Sequence, residues 1–348
     1  MKTAAIIDEF NNNNPARRQW LAQIRQLHGP CRIIAVMSGD FTQQGLPASM
    51  DKYRRAALAI AEGVDMVIQL PVYCTLSSPD TYAFAAVSLL ENLHCVDELY
   101  VACDTPDPGL LMQTAHFLFA ENIQYQKKLK GLRQTGISFY EAQARAAESF
   151  IPGAGALLET KLNAFSAEYL RALKRMYSRI RPCLIPVAGW QEPTETAPAA
   201  QGYLSTLLKY TLACGPKDLD QISGGTAALT AAIRQAQDQY NGFEDFCRSL
   251  ATSTRSPANI RRFMLSAILN LRKSDMALCR LYSFALYAQI LAVSPDAAEL
   301  PPYISSHTRL PVLGLDPEAA AAMTPPIRRM THFDDRAHVL YTLAGQQN

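Results

Sequence analysis

The sequence predicts an α/β protein, a doubly wound parallel sheet followed by a mostly helical C-terminal domain. Three observations carry this. Four short, β-branched-rich apolar runs recur early: "AAIID" (4–8), "CRIIAVM" (31–37), "DMVIQL" (65–70) and "DELYVAC" (97–103). Stretches of helical period separate them, at 15–28, 51–63 and 79–93. From Tyr203 to about Ser294 the pattern is helical throughout. Alternation of strand-sized and helix-period segments is the pattern of parallel strands joined by crossover helices.

Each element has a local reason. The first strand runs into "DEFNNNNPARR" (8–18), where Pro15 suits the first turn of a helix. Asp51 stands where the next helix needs a cap. A helical stretch covers about 109 to 181, and "PCLIPV" (182–187) predicts a fifth strand. "AGWQEPTETAPAAQG" (188–202) has no period and reads as a loop or linker. The expected organisation is an α/β domain over 1–190, a linker over 191–202 and a helical domain over 203–348. Its last fifty residues, punctuated by prolines at 301, 302, 311, 317, 325 and 326, form a terminal cap. There is no internal repeat.

Composition narrows the function classes. With 348 residues, 49% hydrophobic, 18% charged and a net charge of +2, the chain reads as an ordinary soluble globular protein. The N-terminus "MKTAAIIDEF" has no signal-peptide character, and no apolar run reaches spanning length. The eight cysteines show no CxxC spacing and no clustering with histidine. No metal site is therefore expected, and buried reduced thiols in a cytoplasmic protein are. Local charge points further. Residues 123–181 hold eleven Lys/Arg against four acids, which suits either a polyanion such as RNA or a solvated helix face.

Two stretches are more specific than period or charge. "AVMSGDFTQQGLPASMDKYRRAALAIAEGVDMVIQLP" (35–71) and "SSPDTYAFAAVSLLENL" (77–93) resemble the tRNA(Met) cytidine acetate ligase family, a branch of the nucleotidyltransferase-like Rossmann variants. Its members carry "MSGxFxQRGxPA", a basic helix, "GVDLVIELP" and "SSADxFAxGAV" in that order. Weaker echoes are "TGISFYEAQARAA" (135–147), "LNAFSAEYLRALKR" (162–175), "RSPANIRRFMLSAILNL" (255–271) and "RLPVLGLDPEAAAAM" (309–323). The resemblance implies a nucleotidyltransferase-like fold. It also implies a chemistry in which ATP activates acetate as acetyl-adenylate for transfer to the wobble cytidine of elongator tRNA(Met).

The same resemblance exposes what this chain lacks. The family's first loop, "EYNPFHNGH", uses two histidines on the ATP phosphates. Here Glu9, Phe10 and Asn11 match its start, but Asn14 and Arg17 fall at the histidines and Ala16 at the glycine. Asparagine cannot become cationic, and arginine cannot shuttle a proton near neutral pH. The family's "FGSE" is "VACD" (101–104), with Ala102 in place of a nucleotide-contacting glycine. "KRxGAGYHD" is reduced to "PVAGWQE" (186–192), and "SATAIR" is absent. Catalytic residues therefore stay unassigned. Glu9, Asn11, Asn14, Arg17, Arg18, Ser38, Gly39, Ala102 and Asn163 are the candidates for a vestigial nucleotide site. Ser38 and Gly39 could equally form a tight turn, and Asn163 and Asp51 read as helix caps. Lys52 reads as part of a solvated first turn.

Arg171, Lys174, Arg175 and Arg179 recur on one side of a helix, with Leu170, Leu173, Tyr177 and Ile180 on the other. They are the first RNA-contact candidates; Arg255, Arg261 and Arg262 are the second. The six histidines sit in no motif. Three functions follow from these readings. The first is a tRNA-binding protein with a degenerate ATP/acetate site. The second is an active nucleotidyl- or acyltransferase with a rewired phosphate loop, using ATP and Mg if the ancestral site still works. The third is a non-catalytic partner of an active paralogue.

Overall fold

Seven strands form one sheet in the order β5-β4-β1-β2-β3-β6-β7. They are β1 (Thr3–Ile7), β2 (Arg32–Ser38), β3 (Met66–Leu70), β4 (Glu98–Cys103), β5 (Arg181–Pro186), β6 (Ala288–Val293) and β7 (Val312–Leu313). The computed structural model describes residues 2–12, 14–120, 122–187, 198–214, 218–314 and 323–345. All neighbours pair in parallel except β3 and β6, which are antiparallel.

Successive side chains of each strand enter two different cores, as the pleat requires. Ala4 and Ile6 of β1, with Ile33 and Ala35 of β2, pack on Trp20, Leu21 and Ile24 of helix α1 (Pro15–His28) and on Ala56 and Ala59 of α2 (Lys52–Ala61). Ala5, Ile34 and Val36 face the other way. Their core includes Leu89 and Leu90 of α4 (Pro79–Asn92), which follows the single turn α3 (Val72–Thr75). Both faces are thus covered, which is what a doubly wound sheet needs. Between β4 and β5 lie five helices: α5 (Pro108–Phe119), α6 (Ile123–Gln134), α7 (Phe139–Glu148), α8 (Ala154–Glu159) and α9 (Lys161–Arg175).

The C-terminal part holds α10 (Pro198–Cys214), α11 (Ala227–Ala236), α12 (Phe243–Ser249), α13 (Pro257–Leu269), α14 (Lys273–Leu281), α15 (Leu300–His307) and α16 (Pro325–Gly345). Here two expectations need correction. Residues 288–293 are a strand, not helix, and they extend the N-terminal sheet: Met66 pairs with Val293 and Ile68 with Ile290. A six-residue apolar run reads as either element by period alone, and Ser283 and Phe284, at φ 49° and 65°, break the helix just before it. The expected linker also ends early, because α10 starts at Pro198. Residues 191–197 of it lie outside the described residues.

Smaller departures concern single residues. Lys52 is buried, not solvated, and so is Arg55 one turn on. Asp51 does cap α2, accepting from the Tyr53 and Arg54 amides at 3.0 Å each. Tyr177 is 90% exposed and lies beyond the end of α9, so it does not belong to that helix's apolar side. Six cysteines are buried, but Cys214 is exposed and Cys183 half-buried.

Helix α16 is tied to the sheet by Asp334. Its carboxylate accepts from the Val72 amide at 2.7 Å and the Tyr287 hydroxyl at 2.5 Å. Burial pushes this carboxyl up to about 6, against the opposing pull of Lys52 and the two hydrogen bonds. A carboxyl that holds its proton more tightly when folded favours the native state at low pH, and that contribution is lost as pH rises through the folded value. Asp334→Asn cannot ionise. Between about pH 4 and about pH 7 the parent should therefore lose on the order of 2–3 kcal/mol relative to the variant. Urea unfolding of both proteins across this range checks it; parallel stability profiles would contradict the assignment.

Candidate functional site

At the carboxyl ends of β1 and β4, where open α/β sheets place their ligands, lies a cavity of about 520 Å³. Ile7, Asp8, Glu9, Asn11 and Asn14 line its floor, and Ala102 and Asp104 one flank. Leu162, Phe165 and Tyr169 of α9 with Tyr82 of α4 form an aromatic wall, and Thr42, Gln43, Gln44 and Leu46 overhang it.

The loop from β1 to α1 is held by its own side chains. Asp8 Oδ1 accepts from the Phe10 amide at 2.7 Å, a tight Asx turn that sets Phe10 at φ 46°. Asn11 Oδ1 accepts from the Ser49 amide at 2.7 Å. Asn14 is the N-cap of α1, accepting from the Ala16 amide at 3.1 Å, with Pro15 in the first turn.

Arg17 is 1% exposed and makes four hydrogen bonds. Its Nε donates to Glu62 Oε2 at 2.6 Å and its Nη2 to Glu62 Oε1 at 3.1 Å. Nη2 also reaches the Asn12 carbonyl at 2.6 Å, and Nη1 reaches Asp8 Oδ1 at 3.4 Å. The guanidinium lies 4.5 Å from the Phe10 ring centroid. Burial alone would lower its pKa, but the hydrogen bonds and charges of Glu62 and Asp8 outweigh that and raise it. Placed at the expected phosphate loop, Arg17 has turned its fork inward.

The two acids of this loop differ from ordinary surface carboxylates. Burial raises both, opposed for Asp8 by Arg17 and for Glu9 by Arg55. Glu9 accepts from the Tyr82 hydroxyl at 3.0 Å and from Ser38 Oγ. Arg55 lies 3.5 Å from Glu9 and donates to the Glu9 carbonyl at 2.6 Å, the Ser38 carbonyl at 3.0 Å and the Gly39 carbonyl. Arg55 thus ties the ends of β1 and β2 together.

The overhang is docked from the C-terminal part of the chain. Gly45, at φ 70°, lies so close to α13 that a Cβ there would stand 2.7 Å from Arg261 Cβ. Arg262 Nη1 donates to the Gln43 carbonyl at 2.9 Å, and burial lowers its pKa to about 10. Arg261 Nε donates to Glu244 at 2.7 Å, and its Nη2 reaches the same carboxylate.

Among the nucleotide-site candidates, Glu9, Asn11, Asn14, Arg17 and Ala102 line the cavity. Arg18 is exposed on α1 away from the lining. Ser38 and Gly39 lie behind it; a Cβ at Gly39 would come 3.1 Å from Gln69 Nε2, so that side chain would have to give slightly. Asn163 is not the cap of α9, which is Thr160. Its amide instead clamps the loop after β4, accepting from the Asp104 amide at 2.8 Å and donating to the Asp104 and Leu157 carbonyls at 3.0 and 3.1 Å. Arg261 and Arg262 are buried and spent on Glu244 and Gln43, so they present no RNA surface; Arg255 is half-buried. Lys174, Arg175 and Arg179 are exposed, whereas Arg171 is held by Glu168 at 2.8 Å. Arg175 stacks on Phe84 at 4.8 Å, and Arg179 lies past the helix end.

A family model described as HIGH Nucleotidyl Transferase matches residues 1–196 and 188–348. The chain belongs to the HIGH nucleotidyl transferase family. Within that family its kinship is with the tRNA(Met) cytidine acetate ligases, as the motifs at 35–71 and 77–93 predict. The relative from Acetivibrio thermocellus is 21% identical over 397 residues, covering 99% of this chain and 95% of the relative. The one from Thermoanaerobacter sp. X514 is 31% identical over 191 residues, 54% of this chain and 48% of its own. The crystal structure of Thermotoga maritima TmcAL bound with alpha-thio ATP superposes with a TM-score of 0.87 at 22% identity, over 99% of this chain and 95% of that one. The nucleotidyltransferase-like fold is thereby established.

Sequence reasoning did not single out Asp8, Glu62, Tyr82, Phe165 or Tyr169. Only Asp8 had an accessible signal, as the residue that ends β1. Among the described residues no group of three or more His, Cys, Asp or Glu is arranged to hold a metal ion.

Removing Arg17 should unmask its role. Arg17→Met strands Glu62 and Asp8 without their cation, so it should cost about 3–5 kcal/mol of stability by urea unfolding. A variant as stable as the parent would show that the guanidinium is dispensable to the loop.

Proposed function

We propose that this chain is a tRNA-binding member of its family that does not activate acetate with ATP. The observation that carries the reading is the commitment of Arg17. The one cation standing at the family's histidine positions is paired with Glu62, Asp8 and the Asn12 carbonyl rather than open to a phosphate. The remaining lining argues the same way. Asp8, Glu9, Asp104 and Glu159 bring four acids to the cavity against one lysine, Lys161, and the Arg261 guanidinium is bound to Glu244. A triphosphate entering here meets an excess of carboxylates and lacks most of the charged hydrogen bonds that would hold it, each worth roughly 1.5–3 kcal/mol. The rewired-enzyme reading requires an arginine that can turn outward, at the expense of two buried carboxylates.

RNA binding rests on different residues and needs only positive charge in place. Helix α6 exposes Lys127, Lys128, Lys130 and Arg133, and α9 exposes Lys174 and Arg175. Both helices belong to the run of five between β4 and β5. The relatives named above are ligases of a tRNA, and this region is what a phosphate backbone would meet.

Incubation with ATP, acetate and unmodified elongator tRNA(Met) should give no acetylcytidine. The same tRNA should bind at low salt, with affinity falling steeply as salt is added. Replacing Lys127, Lys128 and Lys130 by alanine together should lower the log–log salt slope by about 2–3. Acetylcytidine formation overturns the first half of the proposal, and an unchanged slope the second.

A further inference from the structure

Two aromatic rings stand in solvent at the end of the basic helix α6. Phe139 is 40% and Tyr140 39% exposed, and among the described residues Phe139 is the one phenylalanine so open to water. They are consecutive residues in the first turn of α7, with ring planes at 80° and centroids 5.7 Å apart. Single exposed apolar side chains are ordinary. Here the rings are paired, and a cation covers one of them. Arg133, in the last turn of α6, holds its guanidinium 5.7 Å from the Phe139 centroid, within the range of cation–π attraction.

The turn between the two helices fixes this arrangement. Gly136 takes φ 85°, and Ser138 caps α7 by accepting from the Glu141 amide at 3.1 Å. The charge around the rings is positive. Lys130 lies one turn before Arg133 on the same face of α6, with Lys127 and Lys128 earlier on the helix, and all are exposed. The acid in the first turn of α7, Glu141, is already paired with Arg145 at 2.6 Å.

Flat faces beside uncancelled cations suit a polyanion that also carries rings. A guanidinium plane and an aromatic ring both stack on a nucleobase, and any base has a face to offer. A duplex hides those faces in its own stack, so only unpaired bases can use them. Building on the reading of this chain as an RNA binder, we infer that Arg133, Phe139 and Tyr140 form a stacking platform for unpaired bases, while the lysines of α6 hold the flanking phosphates. The region then tells looped or single-stranded RNA from duplex by ring faces, not by charge.

Fluorescence anisotropy of the full chain with an oligouridylate of about twelve nucleotides, and with a mixed-sequence RNA duplex of about the same length, tests this. The unpaired RNA should bind more tightly; charge alone gives the reverse order, because the duplex has the denser phosphates. Phe139→Leu combined with Tyr140→Leu should weaken binding of the unpaired RNA by about fivefold or more. Its duplex binding and its salt slope should stay at the parent's values, which also shows that the fold is intact. Arg133→Lys leaves both rings in place and keeps the charge but not the plane, and it should weaken the unpaired RNA with no change of slope. If the parent prefers the duplex, or if both variants bind the unpaired RNA as tightly as the parent, the inference falls while phosphate-based RNA binding stands. If neither RNA binds at low salt, both fall together.

Discussion

The buried ion cluster of Arg17 with Glu62 and Asp8 is the constraint on which the rest of the site depends. It joins three elements: the end of β1, the first turn of α1 and the end of α2. Such a cluster is weak evidence of stability gained, since desolvation offsets most of the attraction. Its effect is geometric. Once Glu62 is buried opposite Arg17, neither can leave without exposing the other's charge to a low-dielectric interior. The loop is therefore fixed with its cation facing inward, and the cavity is left with the unpaired oxygen of Asp8. The arginine at this position thus sets the electrostatics of the whole loop through its two carboxylates.

A second arginine pair does comparable work from the far end of the chain. Arg261 and Arg262 lie on α13, more than two hundred residues from the Gln43 loop they hold. Their contact fixes the overhang of the cavity, and Gly45 permits the close approach. Strand β6 and helix α16 reinforce the same union, one by pairing with β3 and the other through Asp334. The C-terminal part completes the sheet and roofs the site, so changes in either half are felt at the cavity.

How much of this the sequence displayed depends on range. Local rules located the strands and helices around the first hundred residues, because apolar runs, Pro15 and Asp51 act on their immediate neighbours. The family motifs gave the fold and the place of the site. What period could not give was pairing over distance. The run at 288–293 has no helix-or-strand signature of its own, and only its alignment with β3 makes it a strand. Charge patterns were the least legible. Arg17, Arg261 and Arg262 look in sequence like Arg175 and Lys174, yet the first three are buried and paired and the last two are exposed. A buried arginine is defined by its distant carboxylate, and nothing within a few residues of Arg17 announces Glu62.

That distinction bears on how a site changes its preference without losing its shape. The aromatic wall, the Asx turn at Asp8 and the amide clamp of Asn163 on the loop after β4 hold the cavity open without any help from a phosphate. They are neutral or short-range interactions, and they survive replacement of the charged residues beside them. Ionic groups behave differently, since the charge of each can be cancelled by one internal partner. Pairing Arg17 with Glu62 turns its charge inward and leaves the space and the flat walls intact. A pocket built this way can have its charge altered by a change of pairing, with no change of fold.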